Sequence, residues 1–469
     1  MIRKQLLYPF VAGILLLGIF YLLGRPEHYD VLVIGAGAAG LSAALEAEAE
    51  GASVLVIEKM PTIGGNTMRA TGGMNAAESA VQEKLGIEDS TRAHLKDTLN
   101  AGHRKSNPVL AGILVDQAKE AVHRLRALGA DLEDVGYLAG HSAPRTHRPT
   151  GGAPVGTEII RVLKDSLKAR DIPIRLETRI IGLIRKGETV RGALVRDKTG
   201  REYRIFSTAL VLAIGGYGGS PRTFVRYDPA LAGFNTTNHP GATGDYIPLA
   251  EKIGARLLDM EQIQAHPTVE PDHGILITEA LRGNGGILVD LIGRRFTDEL
   301  AFRDVLSAKI LERRGGLAFL IFDENVRRSL SASEDYIHRR LVVSANTPRE
   351  LAQKLGIDPP LFSAELETYN TVHRSGKADP FGRSGLSIPL ETPPYYGIKV
   401  SPGVHYCMGG LAIDEKTRVL RDSDGKPIPG LYAAGEATGG IHGKNRLGGN
   451  SLADAVIFGR IAGKEAAKR

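Results

Sequence analysis

A single cysteine in 469 residues, Cys407, rules out an intrachain disulfide, and without a Cys-x-x-Cys-His stretch the chain has no means of attaching a c-type haem of its own. Its thirteen histidines nowhere fall at metal-ligand spacing, so no structural zinc site or other metal is assigned. Runs of like charge are missing too. The 59 Lys and Arg are scattered among 53 Asp and Glu, for a net charge of +6, which argues against a nucleic-acid partner. Repeats and low-complexity stretches are absent. What is present, 42% hydrophobic residues and 57 glycines, describes an ordinary globular chain with many tight turns and close backbone approaches to a ligand. Its length suits two or three structural units.

The stretch from Leu6 to Gly24 contains no charged residue. At about 1.5 Å per residue it is long enough to cross the hydrocarbon core of a bilayer. Residues 1–28 therefore read as an uncleaved membrane anchor, one transmembrane helix with a short linker. A cleaved signal peptide is the competing reading, but no small-x-small site follows and the apolar run exceeds a usual signal core. Arg3 and Lys4 precede the span while Arg25 alone follows closely, which places the amino terminus in the cytoplasm and the body outside, periplasmic in a bacterium.

Tyr29 to Ile34 is a β-rich run that ends in Gly35-Ala36-Gly37-Ala38-Ala39-Gly40, and Leu41 to Gly51 then reads as a helix. Strand, glycine turn and helix together let the backbone approach a pyrophosphate, whose charge is met by the helix N-terminal amides. A second strand, Ser53 to Ile57, delivers Glu58 at the distance where an acid accepts hydrogen bonds from a ribose. FAD rather than NAD is indicated by the further glycine-rich backbone of Gly64-Gly65-Asn66-Thr67 and Thr71-Gly72-Gly73-Met74-Asn75. Two later segments, Ala209 to Gly216 and Gly430 to Glu436, look like returns to the same sheet, and a carboxy-terminal helix begins near Ser451. The expected cofactor contacts in these segments are Gly35, Gly37, Ala39, Gly40, Glu58, Gly65, Asn66, Thr67, Gly72, Gly73, Met74, Asn75, Gly215, Gly216 and Glu436, to which the family resemblance given next adds Lys59, Asp245, Gly449, Asn450, Ser451 and Leu452.

Further along come His147-Arg148-Pro149-Thr150-Gly151-Gly152, Gln264-Ala265-His266-Pro267-Thr268, Thr278-Glu279-Ala280-Leu281-Arg282-Gly283-Asn284-Gly285, Arg303-Asp304, His405-Tyr406-Cys407-Met408-Gly409-Gly410 and His442-Gly443-Lys444-Asn445-Arg446-Leu447-Gly448-Gly449-Asn450. Carrying these in this order, the chain resembles the flavoprotein subunit of the fumarate reductase and succinate dehydrogenase family, and within it the soluble flavocytochrome c-type fumarate reductases without their haem domain. The resemblance runs from about Tyr29 to the carboxy terminus. It implies an α/β fold: a Rossmann-like FAD-binding domain over residues 29–260 and 405–469, with an inserted α+β capping domain over 261–404.

By the same resemblance, His405 and Arg446 hold one carboxylate of the substrate and also border the cofactor, while His266 and Thr278 hold the other. Arg303 donates the proton, and Glu279 and Arg282 form its relay to solvent. The implied activity is FAD-dependent reduction of fumarate to succinate. A same-fold enzyme for another 2-enoate or polycarboxylate, urocanate-type or tricarballylate-type, is the alternative, and a noncatalytic FAD electron-transfer or sensory subunit the second. Family members with covalent FAD carry a histidine in the glycine loop. Here that loop reads Gly65-Asn66-Thr67-Met68, so FAD is expected to be noncovalent. With no haem or iron–sulfur ligands in the chain, the electron donor is expected to be a separate protein such as a c-type cytochrome. Lys444 stands where the motif commonly has alanine, and Leu276 where fumarate reductases often have methionine. Cys407 is read as a packing residue.

Overall fold

The computed structural model describes residues 27–383 and 389–468. The expected membrane span from 6 to 24 lies outside the described residues. Among those described, no helix is long and apolar enough to cross a membrane.

The larger sheet is built on five parallel strands in the order Pro427–Ala433, Glu202–Leu212, His28–Ile34, Val54–Ile57 and Ile174–Arg175. Its central strand reads HYDVLVI, and from Val31 to Ile34 every side chain is buried, as a parallel strand covered on both faces requires. Arg418–Leu420 adds an antiparallel edge beyond Pro427–Ala433, and the antiparallel pair Thr178–Lys186 and Thr189–Asp197 attaches to Glu202–Leu212. The two expected returns to the sheet are therefore neighbours, beside the first strand: Leu212 pairs with Ile34 on one side and with Ala433 on the other.

Helix Ala38–Ala49 follows the central strand, and the carboxy-terminal helix Asn450–Ala467 packs along it. That packing explains two glycines one turn apart. A Cβ on Gly459 would sit 2.4 Å from the Ala39 carbonyl oxygen, and one on Gly463 would sit 2.1 Å from that of Ala43. Only hydrogen fits there, so the two helices approach backbone to backbone.

A second sheet is antiparallel, in the order Ile275–Leu276, Ile263–Glu270, Tyr395–Cys407, Ala318–Asp323 and Ile287–Val289, with Val343–Ala345 also paired to Tyr395–Cys407. It has its own apolar cluster, which includes Leu288, Leu320, Phe322, Phe362 and Val400. The cluster around the parallel sheet instead takes in Met260, Val404 and Cys407. The long strand Tyr395–Cys407 thus begins in one core and ends in the other. A short third sheet joins Met74–Asn75, Thr146–Arg148 and Asp134–Gly136.

Candidate active site

One cavity runs from the glycine turn to the junction of the two cores. At its first end helix Ala38–Ala49 begins without a side-chain cap on Gly37 and without an acid in its first turn, which leaves its leading amides to an outside anion. Ala38 N–H is met at 3.2 Å by Thr67 Oγ1. Glu58 is held against the wall by two backbone amides, accepting from Ala36 at Oε2 and from Met60 at Oε1, both at 2.9 Å.

The far end is assembled from elements distant in sequence. His266 lies on Ile263–Glu270 and His405 on the adjacent antiparallel strand Tyr395–Cys407. Pro267, which has no N–H, falls where the register shifts between His266 and Val269. The two imidazole centroids stand 5.1 Å apart, edge to face. Thr278 and Glu279 precede the one-turn helix Ala280–Gly283, which carries Arg282. Arg303 opens helix Arg303–Leu311. Arg446 stacks over the Tyr406 ring, its guanidinium carbon 4.5 Å from the centroid.

Hydrogen bonds fix these groups relative to one another. Arg303 donates Nε–H and Nη2–H to Glu279 Oε2 at 2.8 and 2.6 Å, and Nη1–H to Gln264 Oε1 at 2.9 Å. The same Gln264 oxygen accepts from Arg446 Nη2 at 3.2 Å. Gln264 therefore ties together two arginines distant in sequence, while its own amide donates to the Arg446 carbonyl at 2.8 Å. His405 Nδ1 is 2.7 Å from Thr237 Oγ1. Thr278 N–H donates to the buried Tyr336 hydroxyl at 2.9 Å.

Glu279 lies in the field of two guanidiniums, Arg303 and Arg282, and itself acts on a third, Arg446. Burial pushes Glu279 up, but Arg303 and Arg282 outweigh it and hold the carboxyl at about 2. Burial, then repulsion from Arg303, brings Arg446 down to about 9. Burial is likewise the first cause that brings Arg282 down to about 10, against the attraction of Glu279. Both histidines are held well below their ordinary value by burial and then by Arg303, so at neutral pH they are uncharged.

Comparison with known proteins gives this geometry a context. Residues 30–452 match the FAD binding domain family. The fumarate reductase (cytochrome) of Shewanella frigidimarina is 45% identical over 443 residues, 94% of this chain and 77% of that protein. The NADH:fumarate oxidoreductase of Klebsiella pneumoniae (strain 342) is 45% identical over 445 residues, 95% of this chain but only 48% of that protein. This chain thus spans about three quarters of one relative and about half of the other. Among solved structures, the open conformation of a flavocytochrome c3 fumarate reductase superposes with a TM-score of 0.78 at 40% identity, covering 96% of this chain and 80% of that one. The chain belongs to the FAD-dependent fumarate reductase and succinate dehydrogenase flavoprotein family.

The residues present fit the family's cofactor. The uncapped helix start at Gly37 suits a pyrophosphate, Glu58 suits a ribose, and Gly37 and Gly72 leave the wall free of side chains. Of the expected contacts, Gly35, Ala39, Lys59, Gly65, Asn66, Thr67, Gly73, Gly215, Asp245, Glu436, Gly449, Ser451 and Leu452 also line the cavity, as do His266, Thr278, Glu279, Arg303, His405 and Arg446.

Six expected site residues lie behind the wall instead. Gly40 serves packing, since a Cβ there would meet the Gly35 oxygen at 1.9 Å, and Gly216 makes room for Glu436. Met74 is buried in the apolar cluster around the parallel sheet. Asn75 and Asn450 bond each other at 2.7 Å, and Asn450 Oδ1 also faces His94 Nε2 at 2.9 Å. Arg282 is fully buried one layer out, donating to the Glu299 carbonyl. Asp245 reaches the wall already paired with Lys59 at 2.9 Å and Arg179 at 2.8 Å. Lys444 is exposed and does not line the cavity. Cys407 is buried, and burial pushes its thiol well up.

Sequence reasoning missed several wall residues: Arg69, Thr237, Asn238 and His239. Thr236 to Gly241 reads only as a polar loop, and nothing in its composition says that it returns to the cavity.

Proposed function

We propose that this chain is a fumarate reductase that converts a small unsaturated dicarboxylate to its saturated product. The observation that carries the reading is the Arg303–Glu279 pair, set between two neutral histidines and Arg446. When bound, FAD supplies the hydride. His405 and Arg446 bind one carboxylate, and His266 and Thr278 the other. Neutral imidazoles donate single hydrogen bonds, while the guanidinium supplies charge and a planar fork. Cap residues then close over the substrate and exclude water.

Arg303 delivers the proton to the second alkene carbon. With two of its nitrogens on Glu279 and one on Gln264, it keeps Nη hydrogens for the cavity. Glu279 is a poor proton carrier while Arg303 is charged. Once Arg303 has given its proton away, the attraction that held Glu279 down is gone and burial raises its proton affinity at the moment a proton must pass. Arg282 stands next in that relay.

The FAD is proposed to be noncovalent: Asn66 occupies the loop where attachment needs a histidine, and its side chain bonds Asn238 and Glu436. The donor is proposed to be a separate c-type cytochrome, and the body to be held outside the cytoplasm by the amino-terminal anchor. Both rest on the sequence, and membrane fractionation with protease accessibility checks the second.

The deciding experiment is fumarate-dependent reoxidation of reduced viologen, with urocanate and other enoates in parallel. Turnover of fumarate alone is the expected result. FAD-loaded protein inert to fumarate but active on another enoate overturns the substrate.

A further inference from the structure

Thr71 lies in the loop between the turn Gly65–Arg69 and the strand Met74–Asn75. It was singled out in the sequence only as part of a glycine-rich stretch, yet it lines the cavity. Its Oγ1 is shielded from solvent and has no hydrogen-bond partner. Among the described residues, two side-chain polar atoms on the cavity wall share that state: Thr71 Oγ1 and Arg446 Nε. The second belongs to the carboxylate-binding set. The first has no role in it.

A shielded hydroxyl without a partner is a standing cost that native structures rarely carry. Its surroundings say what relieves it. Upstream in the chain is the turn that faces the nucleotide end, with Asn66 and Thr67. On its other side is Gly72, whose missing Cβ would lie 3.7 Å from Leu138, and Leu138 adjoins Ala139, whose amide holds Glu279 at 2.9 Å. Thr71 therefore stands between the nucleotide end and the reacting end, on the stretch of wall that a flavin ring must pass.

We propose that Thr71 Oγ1 is a hydrogen-bonding partner of the polar edge of the flavin ring, a positioning residue that tunes the ring's redox behaviour. A hydroxyl both donates and accepts, so it follows the flavin between an oxidised state with an accepting ring nitrogen and a reduced state in which that nitrogen carries hydrogen. A methyl group in its place serves neither. This inference rests on membership of the FAD-binding family and not on the choice of fumarate as substrate.

The test compares Thr71→Val, which keeps the shape and removes the hydroxyl, with Thr71→Ser, which keeps the hydroxyl. Readouts are the flavin absorption spectrum, the midpoint potential by dye equilibration, and the dissociation constant for FAD. We expect Thr71→Val to shift the visible bands and the potential and to weaken FAD binding two- to about tenfold, with Thr71→Ser close to wild type. Unchanged spectrum, potential and FAD affinity in Thr71→Val overturn the proposal. A change confined to the KM for dicarboxylate also overturns it, because the hydroxyl then serves the substrate. Should Thr71→Val fold poorly by circular dichroism, Thr71→Ala gives the same comparison with less crowding.

Discussion

At the residue scale, function concentrates on Arg303, which touches the cavity, Glu279 and Gln264 at once. Replacing it by Ala removes the proton donor and leaves Glu279 as a buried, less compensated carboxylate. Fumarate reduction in the viologen assay should fall by roughly 100- to 10,000-fold, while the flavin spectrum and dicarboxylate binding persist. A variant that loses FAD as well would instead mark Arg303 as structural. Glu279→Gln keeps the shape but cannot take up and pass a proton. Its kcat should collapse with little change in KM, whereas a loss confined to KM would remove Glu279 from the relay. In stability, a carboxyl held at about 2 instead of 4.5 contributes roughly 3 kcal/mol, fully present above the unfolded value and lost as pH falls through the folded one.

These residues were legible because each sits in a short string that the resemblance to the fumarate reductase family matches. Their supports were not. Gln264 bridging Arg303 and Arg446, Thr237 behind His405, and Tyr336 behind Thr278 are contacts between distant parts of the chain, and no periodicity encodes them. Glycine misled for a related reason. One needed for close packing, such as Gly40, reads the same in sequence as one needed for a ligand, such as Gly37.

At the scale of elements, the strand–turn–helix frame was readable because burial, glycine and spacing agree in one stretch, and the observed strand His28–Ile34 and helix Ala38–Ala49 differ from the expected bounds by only a few residues. The clamp on the one-turn helix Ala280–Gly283 was not readable. Arg383, fully buried, donates to the carbonyls of Arg282 at 2.7 Å and Gly286 at 3.0 Å and pairs with the Glu299 carboxylate at 3.0 Å. Glu299 is paired in turn with Arg295, and its backbone carbonyl accepts from Arg282. A four-residue helix has almost no stability of its own, so this collar sets where Arg282 stands. Arg383→Met should destabilise the protein by about 3–5 kcal/mol, because it leaves Glu299 buried with less compensation, and should lower kcat although Arg383 never meets the substrate. A thermal midpoint like that of wild type would show the collar to be dispensable.

At the scale of the whole molecule, the acid limit of stability is set by histidine. His94 and His147 are brought to about 4 and His141 to about 3, each first by burial, and burial also leads in lowering His266, His405 and His442. Each of these six groups has its folded value below its unfolded one, so its contribution is complete above the unfolded value of about 6.5 and is lost as pH falls. As pH falls below about 6 the unfolded chain binds protons that these folded imidazoles refuse, each proton adding about 1.4 kcal/mol per pH unit to the slope. The buried Glu436, whose carboxyl burial raises, opposes this inside the same window, because its folded form takes up its proton at a higher pH than the unfolded one. Because total stabilities are about 5–15 kcal/mol, the thermal midpoint should be nearly flat from pH 8 to 7 and fall as pH drops below 6.5, with release of FAD as the chain unfolds. His147→Gln should lessen that slope by about one proton. A midpoint constant from pH 7 to 5 would mean that these imidazoles meet solvent in the folded protein, and with them the neutral histidine pair on which the proposed carboxylate site depends.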